Sequence, residues 1–434
     1  MSGTEPRIGV VVVHYGTDEL TLRSLRALLD DHVSPPTRIV LVDNGPGAGV
    51  ADRVRAELPA VEVVVPGRNT GFAGGCNRGI AALGAIELVA LVNSDAIVNP
   101  GWLVPLVAAL DADAGLGAVV PKVRFEGRFH ELVLEAADPW RPGRGDGRAL
   151  AWQPRAIEID GVDVTDRSQL VDGFWEPGRG GRWAGPEAVL RVPAVAGATT
   201  ARLELATPPG RAVELRVDGS TTVTVPAGTG WCDLPLTADP VVVLGNVGNV
   251  RRADGYGIDR GHLEVDRGQY DQPEEVEAWC GGAVLLRSAY LDDAGAFDER
   301  LFLYYEDLEL GLRGAARGWR YRYEPTSVVD HRHGASSASG SSHTERLKER
   351  NRLLVLARHG SLGRLVGELL RFVAVTLSYV RREIVAPPLR GDAPCGWLVK
   401  VRALALGGAI LRLPGMLGSR VADARRRRGM RPLA

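Results

Sequence analysis

The stretch Ile8–Tyr15, IGVVVVHY, is the feature that most restricts what this chain can fold into. An apolar run with no polar alternation is expected of a parallel strand covered on both faces. Covering both faces takes helices, and the segments that follow supply them in turn. Leu22, Leu25 and Leu29 recur at helical spacing, Arg38–Asp43 (RIVLVD) is a second apolar strand and Val61–Val65 a third. Phe72, Cys76, Ile80 and Leu83 mark another helix. Glu87–Val92 is a fourth strand that ends in Asn93-Ser94-Asp95, and Gly117–Val120 begins a fifth. This rhythm predicts βαβ units around a mostly parallel sheet, an α/β fold.

Near Asp138 the texture changes. Short alternating stretches (Val189–Val192, Arg202–Ala206, Ala212–Val217, Thr222–Val225, Val241–Leu244) are punctuated by Gly and Pro, as in Pro208-Pro209-Gly210. They predict an antiparallel β-sandwich, jelly-roll-like, inserted over 138–244. Gly245–Glu277 reads as a long polar connecting loop. The α/β signals then return, with a strand at Ala283–Leu286, a helix at Asp307–Gly318 and an extended Tyr321–Val329. The expected division is a discontinuous α/β domain (1–137 and 245–350), the insert, and a helical region over 351–434. Two amphipathic segments, Leu362–Val380 and Val399–Leu417, carry that last region.

Composition narrows the function classes. A formal net charge of −1, with 45% hydrophobic and 24% charged residues, excludes the basic excess of a nucleic-acid binder. Arginines concentrate from Arg346 onward and end in Arg425-Arg426-Arg427-Arg428. The four cysteines, Cys76, Cys232, Cys280 and Cys395, show no CxxC spacing, which fits a reducing compartment better than a disulfide framework or zinc site. The first strand starts after seven residues, so no signal peptide is expected, and no uncharged apolar run reaches a spanning length. The expected location is cytoplasmic, or peripheral at the inner face of the cell membrane.

Several polar groups stand where such a sheet binds ligands, beyond the carboxyl ends of its strands. Asn93-Ser94-Asp95 places an acid suited to a hard cation such as Mg²⁺ or Mn²⁺, or alternatively a turn and helix cap. Asp43-Asn44 ends the second strand, where an acid accepts hydrogen bonds from a ribose or base, or simply closes a turn. Arg68–Asn77 opens a helix with glycines that allow close backbone approach to an anion, or that make a tight turn; it is not the GxGxxG of a dinucleotide site. Tyr305-Glu306-Asp307 heads a helix whose dipole favours an ionised carboxylate, fit either to deprotonate a hydroxyl or to cap the helix. Asp330-His331-Arg332-His333 offers imidazoles for a metal, or surface histidines.

In order along the chain, LVDNG (Leu41–Gly45), NTGFAGGCNRGI (Asn69–Ile80), LVNSDA (Leu91–Ala96), GAFDERLFLYYEDLELGLR (Gly295–Arg313) and VVDHRHGAS (Val328–Ser336) resemble family 2 glycosyltransferases of the GT-A fold. The likeness is strongest to their bacterial rhamnosyltransferase-like branch. It covers about 1–137 and 245–350. The resemblance implies an inverting, metal-dependent transfer of a sugar from a nucleotide-diphosphate donor (a dTDP- or UDP-sugar) to a hydroxyl of a glycan, lipid-linked glycan or metabolite. It makes Asp307 the catalytic base and Glu306 its companion. Asp95 and His331, with His333 as the alternative, would serve a divalent cation, Mg²⁺ or Mn²⁺; the DxD-type motif reads Asn-Ser-Asp here. Tyr15, Asp43, Asn69, Gly71, Phe72, Asn77, Asn93, Ser94, Trp279, Gly281 and Gly282 would shape the donor pocket.

Two other classes compete. A sugar nucleotidyltransferase would want a Gly-rich basic loop after the first strand, where this chain has His14-Tyr15-Gly16-Thr17. A noncatalytic glycan-binding protein would not need Asp95, Asp307 and His331 together. Trp175, Trp183 and Trp231 of the insert either stack on sugars or fill its core. Leu365, Leu369, Phe372, Val373 and Leu377, with Arg364, Arg371, Arg381 and Arg382, either lie on an anionic membrane or pack on the protein or a second copy.

Overall fold

The computed structural model describes residues 6–45, 49–142, 147–175, 181–252, 256–332, 341–390 and 393–429. These form two compact units: residues 1–124, 245–262 and 268–434 make the first, and 125–244 with 263–267 the second.

The first unit follows the strand–helix alternation of its sequence. Strands β1 (Ile8–His14), β2 (Thr37–Asp43), β3 (Val61–Val64) and β4 (Leu88–Asn93) alternate with helices α1 (Asp18–Leu29), α2 (Gly49–Glu57) and α3 (Gly71–Leu83). There follow β5 (Ala96–Val98), α4 (Leu103–Ala112) and β6 (Leu116–Phe125). After the second unit come β7 (Glu274–Val276), β8 (Ala283–Arg287), α5 (Ser288–Ala294), α6 (Glu306–Ala315) and β9 (Arg320–His331). The sheet runs β7-β9-β6-β8-β4-β1-β2-β3, with β5 pairing off that path to β9. β3, β2, β1 and β4 are parallel, whereas β8 runs antiparallel to β4. The chain leaves β3 and returns on the far side of β1, so the strand order reverses between β1 and β4, where open sheets leave a crevice.

Packing explains the glycines of α3. A Cβ on Gly79 would lie 2.3 Å from Val11 Cγ1, and one on Gly75 2.6 Å from Val13 Cγ1. Those glycines let α3 press onto β1. Ile8, Val10 and Val12 of β1 are buried among Leu22, Leu25 and the strands beside them.

Helices α7 (Ser342–His359), α8 (Leu362–Tyr379) and α9 (Trp397–Gly429) complete this unit. They share a core with α6, in which Leu308 and Leu312 meet Leu353, Leu365, Phe372 and Ala405. The expected boundary at residue 350 falls inside α7. The stretch Trp397–Arg426 is long and apolar enough to cross a membrane by length and composition, contrary to the expectation from uncharged runs, because a few cations are spread through it.

The second unit consists of antiparallel strands in two sheets. Phe129–Ala136 pairs with Ala184–Pro193 and Val213–Val217 in one, and Thr200–Ala206 pairs with Gln153–Ile159 and Thr229–Pro235 in the other. The unit begins at Phe125 rather than 138, because Phe129–Ala136 is a central strand of the first of these sheets. Leu134, Leu190, Leu203, Leu215 and Trp152 fill one core. Of the three tryptophans singled out, Trp175 and Trp231 are 37% exposed and Trp183 is half-buried. The Trp175 indole N–H donates to the Ala149 carbonyl, and Arg202 stacks over Trp231.

Candidate active site

The carboxyl ends of β1, β2 and β4 gather polar side chains. His14 is buried, with Nδ1 2.8 Å from Thr21 Oγ1 and Nε2 3.2 Å from Asp18. Burial pushes its imidazole below the usual range, against the pull of Asp43 and Asp18. Asp43 is buried too; its Oδ1 accepts the Gly45 N–H, while Oδ2 has no partner among the described residues. Asn44 straps β2 to the start of α3, accepting from Thr70 and donating to the Gly71 carbonyl.

β5 and β9 join two residues far apart in sequence. The register sets His331 opposite Ala96, and the His331 Nε2 lies 2.8 Å from Asp95 Oδ1. Asn93 Nδ2 is 3.3 Å from the same nitrogen. Burial alone would lower the His331 pKa, but the Asp95 carboxylate outweighs it and holds the imidazole above its ordinary value. Ser94 is buried between them in sequence.

His331 and Asn93 open onto a cavity of about 470 Å³ whose wall also carries Phe72, Gly281, Gly282, Glu306 and Asp307. Asp307 Oδ2 accepts the Gly281 N–H at 2.9 Å and Oδ1 the Leu308 N–H at 2.7 Å. α6 and the loop before β8 thus supply one donor each, yet burial wins and pushes the Asp307 carboxyl up to about 6. Glu306 is more deeply enclosed; burial, then the charge of Asp307, hold its carboxyl well above the usual range, and its Oε2 has no partner among the described residues.

The turn that delivers these acids is strained. Phe302, Tyr304 and Tyr305 all adopt positive φ, between 68° and 72°, where side chains other than glycine are disfavoured. Asn351 of α7, fully buried, reaches the carbonyls of Leu301, Leu303 and Tyr304 at 2.7–2.9 Å. Arg350 adds a bond to Leu301. On the other side, the Phe302 carbonyl would be 2.3 Å from a Cβ on Gly71.

Several expected donor contacts lie elsewhere. Gly71 presses on Phe302, so its missing side chain makes room for protein rather than for a ligand. Asn77 is taken up by the backbone of Phe297, donating to its carbonyl and accepting its N–H. Trp279 is fully buried, edge-on to Tyr290 and Phe297, with its indole N–H on the Tyr290 hydroxyl. Asn69 is exposed and closes a turn by accepting the Gly71 N–H. Tyr15 is exposed at the end of β1. His333 lies outside the described residues.

The segment expected to be a connecting loop instead lines the cavity with Asn246, Asn249, Tyr256, Asp259 and His262. Asn246 Nδ2 bridges Asn249 and Asp259 at 2.8 and 2.7 Å, and Asn249 donates to the Trp279 carbonyl. The Asp259 charge bears on Asp307 and His331. No periodic pattern marks these residues; the two Asn-Val pairs in GNVGNV were the available signal.

Residues 9–159 match the family model described as glycosyl transferase family 2. The chain carries a family 2 glycosyltransferase domain. The Asp307 and His331 motifs lie beyond the matched stretch. Two curated relatives are similar to part of the chain, both N-acetylglucosaminyl-diphospho-decaprenol L-rhamnosyltransferases of Mycobacterium tuberculosis strains, 34% identical over 89 residues. That is 20% of this chain, which spans only 29% of their length. Among solved structures, GalNAc-T7 with UDP, GalNAc and Mn²⁺ aligns with a TM-score of 0.45 at 12% identity, over 81% of this chain and 48% of that one. The mannosyltransferase PcManGT of Pyrobaculum calidifontis with GDP-Man and Mn²⁺ aligns at 0.38 and 13%, over 99% and 77%.

Proposed function

We propose that the chain is an inverting glycosyltransferase that moves a sugar from a nucleotide-diphosphate donor to an acceptor hydroxyl. The observation that carries this is the single cavity shared by His331, which is bonded to Asp95, and Asp307. Asp95 and Asp307 come from distant parts of the chain, and the family match, over residues 9–159, covers Asp95 alone.

Asp43 would hold the nucleoside, as its buried Oδ2 has no partner among the described residues. Asp95 and His331 are the residues that would hold a divalent cation. Among the described residues no three His, Cys, Asp or Glu cluster as a closed metal cage. A carboxylate oxygen with an imidazole nitrogen suits Mn²⁺ better than Mg²⁺, which prefers oxygen ligands, and His331 would give up its bond to Asp95 to serve as a ligand. Such a cation neutralises charge that gathers on a leaving diphosphate.

Asp307 accepts the acceptor's proton as the hydroxyl oxygen bonds to the anomeric carbon and the bond from that carbon to the diphosphate oxygen breaks. A carboxyl near 6 is mostly ionised at neutral pH, yet basic enough to take a proton in the transition state. The N–H groups of Gly281 and Leu308 fix its orientation. A dTDP- or UDP-sugar is the expected donor, and a glycan, lipid-linked glycan or metabolite the acceptor.

The test is a panel of nucleotide sugars screened for thermal stabilisation with and without Mn²⁺, followed by turnover with Asp307→Asn. Transfer should fall by roughly 10²–10⁴-fold, the usual contribution of a general base, with donor affinity kept. Undiminished transfer would remove Asp307 from the mechanism.

A further inference from the structure

α8 is apolar on two sides. Leu365 and Phe372 face inward and are buried. Leu362, Val366, Leu370, Val373 and Leu377 recur every three or four residues along the other side and are 40–67% exposed. The exposed apolar surface continues beyond the helix through Ile384, Val385 and Leu389, the last 83% exposed. Of the 23 large apolar side chains exposed among the described residues, 13 lie from Leu362 onward, so the chain's uncovered hydrophobic surface is concentrated here. Soluble proteins seldom leave such a stripe bare without a partner for it.

The charges around it specify the partner. From Leu362 to Arg426, every exposed charged side chain that is described is a cation: Arg371, Arg381, Arg382, Lys400, Arg425 and Arg426. The described acids of the segment turn inward instead. Glu368 pairs with Arg352 and reaches Arg371 at 3.7 Å, Asp423 pairs with Arg358, and Glu383, largely covered, lies 3.4 Å from Arg382. An apolar stripe fringed only by cations would repel a second copy of itself, whereas lipid headgroups that are anionic would attract it.

We propose that α8 and the segment after it, to Leu389, dock on the surface of an anionic lipid bilayer, with the leucine stripe seated among the acyl chains and the arginines on the headgroups. The binding is peripheral rather than spanning. α9, among the described residues the one helix long and apolar enough to cross, is tied to the rest of its unit by Arg402 on Glu349 and by Arg420 on the carbonyls of Ala357 and Gly360. The proposal does not depend on the sugar-transfer reading.

Flotation of the full chain with vesicles tests it. Vesicles of phosphatidylcholine mixed with phosphatidylglycerol should carry the protein up the gradient; phosphatidylcholine alone should do so poorly, and high salt should weaken the binding. The triple variant Val366→Gln, Leu370→Gln, Leu377→Gln should lose binding by at least roughly tenfold. The triple variant Arg371→Gln, Arg381→Gln, Arg382→Gln should lose at least roughly tenfold and most of its salt sensitivity. Both sets sit on the exposed side, and circular dichroism melting matching the parent verifies that they fold. Binding by both variants at the parent's level overturns the proposal. So does a dimer, seen by light scattering, that the leucine variant dissolves while no vesicle is bound. Retention in the membrane after alkaline extraction overturns it in favour of a spanning segment.

Discussion

Asp307 is subject to opposed influences: burial, helped by the charge of Asp259, opposes its ionised form, and the N–H groups of Gly281 and Leu308 favour it. Enclosure prevails, and the outcome is a carboxyl near 6. The sign for activity follows directly. Above 6 the group is ionised and able to accept a proton; as pH falls through 6 that form is lost, so kcat/KM should decline with an acid limb near that value. A pH–rate profile checks this, and a limb near the ordinary carboxylate value would mean another base. At Asp43 the expectation is different. Asp43→Asn keeps an acceptor for Gly45 but offers the ligand a changed edge, so donor KM should rise roughly tenfold or more with kcat little altered. Steady-state kinetics over a donor series measures it. The Asp43, Asp95, Glu306 and Asp307 positions were legible in the sequence because each acid terminates a strand or heads a helix. Trp279 and Asn77 were not correctly placed, since a motif specifies a residue's neighbourhood but not which way its side chain turns. Asp259 carried no such mark; its place in the cavity arises from a fold of the chain that no local pattern announces.

At the scale of the element, the turn before α6 holds three left-handed residues that are expensive on their own. Asn351 is what compensates them, from a helix that begins almost forty residues after Leu303. Asn351→Leu keeps the volume but removes the amide donor from the Leu303 and Tyr304 carbonyls, while Leu301 keeps Arg350. It should destabilise the protein by about 2–6 kcal/mol, at one to three for each of two lost bonds, and lower transfer beyond the loss of folded protein. Denaturant unfolding and activity per folded molecule separate the two effects. A second anchor joins α6 to α7. Glu309 is fully buried; burial would raise its carboxyl, but Arg313, His359 and Arg358 overcome that and hold it at about 2, against 4.5 unperturbed. A depressed folded value means the contribution is present above 4.5 and disappears as pH falls toward 2. Holding the Glu309 carboxylate that far below its ordinary value contributes roughly 3 kcal/mol at neutral pH. Glu309→Gln should therefore lower stability at neutral pH and flatten its dependence between those limits, as urea titrations across pH would register. None of this was visible in the sequence, where Glu309 is one more acid on an amphipathic helix.

At the scale of the whole molecule, the two units have separate cores: Leu190, Leu203 and Leu215 in one, the strands of the α/β sheet in the other. Calorimetry should resolve two transitions, with Leu190→Ala shifting only one of them by about 2–5 kcal/mol and Glu309→Gln only the other. A single transition moved by both would show that the cores unfold as one. The change of texture along the chain already announced two architectures, because a period near 3.6 and a period of 2 bury different faces and cannot be confused over long stretches. It misplaced their border by over ten residues, since Phe129–Ala136 is a strand by either architecture and only its partners assign it. By itself the sequence determined the βαβ alternation, the sandwich texture and the order of the acids, all local consequences of which side chains can be buried at which spacing. The meeting of Asp95 with His331, the strap of Asn351, the lining of the cavity by Asn246, Asn249, Tyr256, Asp259 and His262, and the bare second face of α8 were decided by tertiary structure alone. Each depends on contacts between residues far apart in the chain, and no local periodicity encodes those.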